Sequence, residues 1–265
     1  MFVQTPNVLR MRDFKMHFYK NVKAGIVSAV FTAMIGVSSA SAQAVVETYN
    51  FNFPPGAAPA VAKAMATFSN SKAFGNLKGA VYLNQTDIGG GGTHSFAVFQ
   101  ESPSAANAMD QAMQSSNAAR AFVGTISKLG QPAGPSARFN VVKLWGSGKA
   151  TPRQYQTFAV AATNPAGVVK ALDRFRASET GQSSPGDVML LALRAGGVPG
   201  FTHSLVVLYD DRGEYEEWVA RTGQNKDWAR FQKEMSRHAT IIGSIMGTSV
   251  AVFGDTDLVS QMLTR

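Results

Sequence analysis

The chain repeats itself. Gly89–Phe99 reads GGGGTHSFAVF and Gly196–Tyr209 reads GGVPGFTHSLVVLY. Each is a glycine-rich turn, then Thr-His-Ser, then a run of β-branched and aromatic residues of the kind that forms a strand. Thr93 and Thr202 stand 109 positions apart. Two further matches flank this one. Val61–Phe68 aligns with Val168–Phe175 at an offset of 107, and Ala119-Arg120 with Ala229-Arg230 at 110. Offsets that drift by a few residues are those of a duplicated unit whose loops have changed length. The fold must therefore use one supersecondary unit twice.

Both units read in the same order. In the first, residues 43–147, strands are expected at Val46–Phe53, Gly79–Gln85, Thr93–Gln100 and Arg138–Trp145. Ala58–Ser69 carries Val61, Ala64, Met65 and Phe68 at helical spacing, and Ser104–Leu129 is helical with Ala108, Met109, Ala112 and Met113 on one face. Around Phe122 and Ile126 this region divides into a separate helix. The second unit, residues 153–255, repeats the order with strands at Tyr155–Ala162, Val188–Arg194, Phe201–Tyr209 and Thr248–Phe253. Its helices run from Pro165 to Ala177, behind an Asn164 cap, and from Glu214 to Ala239, with a polar loop at Glu179–Gly186. Residues 146–152 link the units, and 256–265 form a tail.

Strand–helix–strand–strand–helix–strand is the ferredoxin-like arrangement, an antiparallel sheet with helices on one face only. The other face needs a cover. Two tandem ferredoxin-like βαββαβ units supply it by packing their sheets together, giving an α+β fold in the form of an α/β barrel.

The front of the chain reads as a leader. Arg10, Arg12, Lys15, Lys20 and Lys23 precede an uncharged apolar run from Ala24 to Val37, and Ala40-Ser41-Ala42 follows. That is the pattern of a secretory signal peptide over residues 1–42, too short in its apolar part to span a bilayer comfortably. The expected location is the periplasm or beyond. The remainder carries 20 basic and 16 acidic residues, a net of +4 without a basic cluster, so no nucleic-acid partner is expected. The absence of cysteine excludes disulfides, thiolate catalysis and Cys-ligated metals.

The unit resembles the dimeric α/β-barrel superfamily, in particular its stress-responsive α/β-barrel and antibiotic-biosynthesis-monooxygenase-like members. The carrying residues are Gly200-Phe201-Thr202-His203, then Leu205–Asp211, with Tyr215 and Trp218 on the following helix. The resemblance covers residues 45–145 and 154–255. It implies a pocket between sheet and helices or at the barrel seam. It also implies a range of activities, from cofactor-free monooxygenases through haem enzymes and cyclases to members without known activity. Cyclase-like members carry a histidine on the unit's second helix; Ser116–Phe122 and Asn225–Phe231 both lack it.

The candidate catalytic residues are His94 and His203, each set between hydroxyl residues and facing the same side as Phe96 and Val98, or Leu205 and Val207. Such a histidine is either a base or ligand in an apolar pocket, or a structural group bonded to its strand. His238 is an ordinary helix-end residue. Candidate ligand-binding residues are Arg120 and Arg230, which recur at equivalent positions and either clamp an anion or pair on their own helix, together with Tyr209 and Trp218. No metal constellation is visible, and haem is the one cofactor left open. The four glycines at 89–92 precede a strand rather than a helix and are no phosphate cradle. Together these features predict an exported tandem barrel that binds a small apolar molecule. The alternatives are a cofactor-independent monooxygenase using a strand histidine and a structural protein of the envelope. Monomer and homo-oligomer both fit.

Overall fold

The computed structural model describes residues 43–264 except 76, 150 and 152. The leader assigned to residues 1–42 lies outside the described residues. The first half comprises β1 (Val45–Asn52), α1 (Ala58–Ser69), α2 (Lys72–Gly75), β2 (Gly79–Ile88), β3 (His94–Gln100), α3 (Pro103–Ser115), α4 (Asn117–Leu129), the two-residue β4 (Gln131–Pro132) and β5 (Ala137–Trp145). The second comprises β6 (Gln154–Ala162), α5 (Pro165–Ala177), α6 (Glu179–Gln182), β7 (Gly186–Gly196), β8 (His203–Tyr209), α7 (Arg212–Thr222), α8 (Lys226–His238) and β9 (Ala239–Gly254), with α9 (Thr256–Thr264) behind it.

Eight long strands close into an antiparallel barrel. The order is β3-β2-β9-β6-β8-β7-β5-β1, and β1 pairs back to β3. Within the first half the neighbours run β5-β1-β3-β2, and within the second β9-β6-β8-β7. The halves meet at hydrogen-bonded edges, β2 with β9 and β5 with β7, so closure comes from edge pairing as well as from facing sheets. Closing removes the exposed edges that two separate sheets would leave.

Three cores result. Inside the barrel, Val46, Ala80, Tyr82, Phe139, Met189 and Leu191 pack together, and Val259, Met262 and Leu263 of α9 close one mouth over them. On the outer face, α1 to α4 cover Leu83, Phe96 and Val98, with Val61, Met65 and Phe68 of α1 at the expected spacing. In the second half α5, α7 and α8 cover Leu190, Leu205 and Val207. The last strand of each half is shared: Trp145 of β5 packs in the second outer core, and Ala251 and Phe253 of β9 against the first.

Several elements differ from the sequence reading. The apolar face of α3 is centred on the fully buried Ala106 with Met109 and Met113 beside it, whereas Ala108 is exposed. Ser116 adopts extended backbone and caps α4 through Ala119 N–H at 3.3 Å, which separates it from α3. Glu214–Ala239 is two helices, because Gly223-Gln224-Asn225 interrupts it and Asn225 caps α8 through Asp227 N–H. The polar stretch after α5 contains the short helix α6. β9 has 16 residues and begins at Ala239, directly behind α8, with no turn residue between them.

Candidate functional site

Each histidine stands at a place where a threonine joins two strands. Thr202 Oγ1 accepts from Ala162 N–H at 2.8 Å and lies 3.1 Å from Val160 O and 2.9 Å from His203 Nδ1. Thr93 Oγ1 does the same in the first half. It accepts from Phe53 N–H at 2.9 Å and lies 3.2 Å from Phe53 O and 3.0 Å from His94 Nδ1. A carbonyl only accepts, so the hydroxyl hydrogen belongs to it. Each imidazole then donates from Nδ1 and keeps its lone pair on Nε2, the one assignment that satisfies all three contacts. Both rings are buried on the helix-facing side, and burial holds both pKa values below the usual histidine range. Among the described residues His94 Nε2 has no hydrogen-bond partner, and the Phe53 ring lies beside the imidazole, tilted by 60° with its centroid 5.4 Å away.

The other candidates lie apart from these rings. Arg230 is exposed and pairs at 3.0 Å with Asp227 on its own helix. Arg120 is exposed and donates to Asn117, one turn earlier on α4. Tyr209 is fully buried and stacks on Tyr215 at 4.4 Å, while Trp218 lies in the second outer core and donates to Ser183 Oγ at 3.2 Å. His238 ends α8 and packs against Gly167, where a Cβ would meet its ring at 2.5 Å.

A further group gathers on β1, between the sheet and α3. Glu47 is only 4% exposed, on the same helix-facing side as Tyr49 and Phe51. Arg138 of β5 donates to Glu47 Oε1, and Tyr49 OH donates to Oε2 at 3.1 Å. Arg138 Nη2 reaches on to Asp110 Oδ2 of α3 at 2.8 Å. Burial raises the Glu47 pKa above the usual carboxylate range, against the pull of Arg138. Burial likewise raises the Tyr49 phenol, and the Glu47 charge adds to it. A shallow depression of about 170 Å³, open to solvent, lies over this group, lined by Glu47, Tyr49 and Arg138 with Ser136, Ala137, Ala195 and Gly196. Gly196 is at φ +78, and a Cβ there would meet Ser136 O at 1.9 Å. The glycine is what lets β7 and β5 close this wall.

At the equivalent position the second half carries no charge, and its buried ion pair, Arg153 with Asp187 at 2.7 Å, lies elsewhere. Its ladder sets Gln156 opposite Val207, where the first sets Glu47 opposite Val98. Gln156 accepts from Tyr215 OH at 3.1 Å, a neutral pair. The reading by repeats found the threonine–histidine pairs, which both halves share, and missed Glu47, which they do not. The signal for it was a carboxylate in line with Val45, Tyr49 and Phe51 on a strand with an apolar face. A larger cleft, about 640 Å³, lies between α1, α2 and the start of α9, with exposed Lys78 and Asp255 in its lining.

No protein-family model matches the chain, and no curated protein does. Solved structures do. A provisionally named monooxygenase from Fusobacterium nucleatum aligns with a TM-score of 0.54 at 12% identity, covering 81% of this chain and 96% of its own. An anthrone oxidase-like protein aligns at 0.52 and 12%, covering 80% and 92%. A haem-binding protein from Thermus thermophilus aligns at 0.45 and 11%, covering 84% and 96%. The fold is that of the ferredoxin-like dimeric α/β-barrel proteins. Among the described residues no helix is long and apolar enough to cross a membrane.

Proposed function

We propose that the protein is an exported barrel of two tandem ferredoxin-like units that binds a small molecule at Glu47, Tyr49 and Arg138, with acid–base chemistry of the cofactor-independent oxygenase type. The matching strand order of the two halves supports the tandem reading. The carrying observation is the buried Glu47, held between a guanidinium and a phenol beside an open depression in the surface. A carboxylate with a raised pKa exchanges a proton nearer neutrality than an exposed one, which is what a general base requires. Glu47 takes the proton of an acidic O–H or C–H, and Arg138 opposes the charge left on the molecule. The electron-rich anion is the species that dioxygen oxidises directly.

The histidines serve the fold in this reading, since duplicated structural devices persist while duplicated pockets diverge. Haem does not fit them. The Nε2 of His94 has the lone pair a metal takes, but both histidines are buried and neither lines either cleft. A structural role without a ligand is the competing reading, favoured by the packed barrel interior.

Oxygen consumption with a panel of phenols and enols tests the proposal. Turnover should vanish in Glu47→Gln, fall in Tyr49→Phe and survive in His203→Ala. Turnover that survives Glu47→Gln and vanishes in His203→Ala would return the chemistry to the histidine. Sequencing the N-terminus of the protein from its own host tests export, and a start at Gln43 is expected.

A further inference from the structure

We infer that the outer face of α5 and α8, together with the bare start of β9, docks on an anionic lipid bilayer. This surface is separate from the site at Glu47. The first observation is where the charge lies. α5 and α8 carry seven basic and three acidic residues, whereas the rest of the chain from residue 43 balances at thirteen of each. The whole net charge of that chain therefore sits on two helices.

On α8, Lys226, Arg230, Lys233 and Arg237 follow at spacings of four, three and four, and all are exposed. On a helix these positions fall within an arc of about 60°. Trp228, Phe231 and Met235 take the opposite side and pack into the second outer core. α5 lies alongside, with Arg174 bonded to Glu234 at 2.8 Å and Gly167 against the His238 ring, which brings the exposed Lys170 to the same surface. Each of the three acidic residues is already paired, Asp173 with Lys143, Asp227 with Arg230 and Glu234 with Arg174. Lys170, Lys226, Lys233 and Arg237 have no ion-pair partner among the described residues. Neither cleft described above is lined from this face, so it fits an extended polyanionic surface better than a small anion.

A charged face alone would serve any polyanion; the adjoining strand selects a bilayer. Directly behind α8, residues 240–244 of β9 are all exposed, Ile241 at 58% and Ile242 at 45%. Ile241 lies opposite Val160 in the ladder and so points to the helix side, just past the end of α8. β2 joins β9 only from Met246 onward, and Ile88, opposite that residue, is 59% exposed. Aliphatic side chains in water beside a stripe of cations match the two parts of a bilayer surface. The isoleucines enter the boundary between headgroups and acyl chains, while lysine and arginine meet anionic headgroups. The open edge of β9 keeps this insertion shallow, because unpaired backbone groups are not tolerated in hydrocarbon.

Co-sedimentation with lipid vesicles tests this on the protein purified from its own host. Vesicles of mixed phosphatidylglycerol and phosphatidylcholine should carry it down, and vesicles of phosphatidylcholine alone should not. Binding should weaken between about 0.1 M and about 1 M salt. The triple variant Lys226→Gln, Lys233→Gln, Arg237→Gln should bind on the order of a hundredfold more weakly. Lys63→Gln, Lys72→Gln, Lys128→Gln removes the same charge from exposed sites of the first half and should bind as the native chain does. Comparing variants of one chain cancels any contribution of residues 1–42. The double variant Ile241→Ser, Ile242→Ser should lose about tenfold in binding and keep the native thermal midpoint, since both side chains are exposed. Equal binding to both kinds of vesicle, or equal losses in the two triple variants, would overturn the inference. So would undiminished binding by the isoleucine variant, which would reassign the face to a partner read by charge alone, such as a nucleic acid. A lipid-free mass of two chains that falls to one in that variant would give the bare strand to a second copy instead.

Discussion

Thr93 and Thr202 each hold three groups with one oxygen, and that makes them costly to change. In Thr202→Val the methyl groups fill similar space, but Ala162 N–H and His203 Nδ1 lose their partner. Unsatisfied buried polar groups cost about 1–3 kcal/mol, so the urea midpoint should fall accordingly, and Thr93→Val should behave alike. The imidazoles they hold set a pH dependence. The unfolded chain takes up a proton near the ordinary histidine value of 6.5, whereas the native rings resist it. Stability is then complete above that value and declines as pH falls through it, until the lowered native values are passed. Glu47 has the opposite sign: its contribution is complete below the ordinary carboxylate value of 4.5 and is lost as pH rises through the raised native one. Thermal midpoints measured from about pH 7 to about pH 5.5 should fall, and the double variant His94→Asn, His203→Asn should flatten that slope. A slope untouched by the double variant would assign it to other groups. The histidines were legible because a motif written twice stands out. Glu47 was not, because Asp110 and Arg138 come to it from 63 and 91 positions along the chain, and no local spacing announces a site assembled by sheet and helix packing.

At the level of elements, local chemistry decides the boundaries. Asn164 caps α5 by accepting from Gly167 N–H at 3.0 Å, and Pro165 follows at the first helical position. Asn164→Ala should cost about 1 kcal/mol, read as a shift of the denaturation midpoint without a change in slope. That helix was plain in the sequence because cap, proline and apolar spacing agree. β9 was only half plain. Only Thr248–Phe253 was expected as a strand, since Gly243 and Gly247 weaken the pattern before it and no turn separates it from α8. Tertiary pairing overrides the glycines: β6 holds Ala239 to Thr248 on one side and β2 holds Met246 to Gly254 on the other. Gly247 is needed where the two pairings overlap, since a Cβ there would meet Gln85 O at 2.3 Å and Tyr155 Oη at 2.4 Å. Gly247→Ala should therefore speed hydrogen exchange in β2 and β9 while β7 and β8 keep their protection. Equal exchange throughout would show that the seam is not held at this point.

For the molecule as a whole, the two seams and the plug carry the barrel. β2 and β5 are edges of the first half, and each is covered by a strand of the second. Ending the chain after Asp255 removes Val259, Met262 and Leu263 from the barrel mouth. Losing such burial should cost a few kcal/mol, on the order of 2 for each large side chain, and hydrophobic dyes should bind the truncated barrel. The barrel itself was legible from the bare faces of two predicted sheets, whereas the sharing of the last strands between the halves was not, because period-two patterning gives a strand's faces and not its neighbours. The closing pair has one more consequence, and it concerns time. Ala80 meets Gly254 across the β2–β9 seam, residues 174 positions apart, and α9 comes after both. No ring of strands exists until β9 has been made. Pairings this distant are slow to form, so a newly made chain stays an open sheet until β9 is in place. Whatever must grip or thread the polypeptide in that interval meets a strand, not yet a barrel.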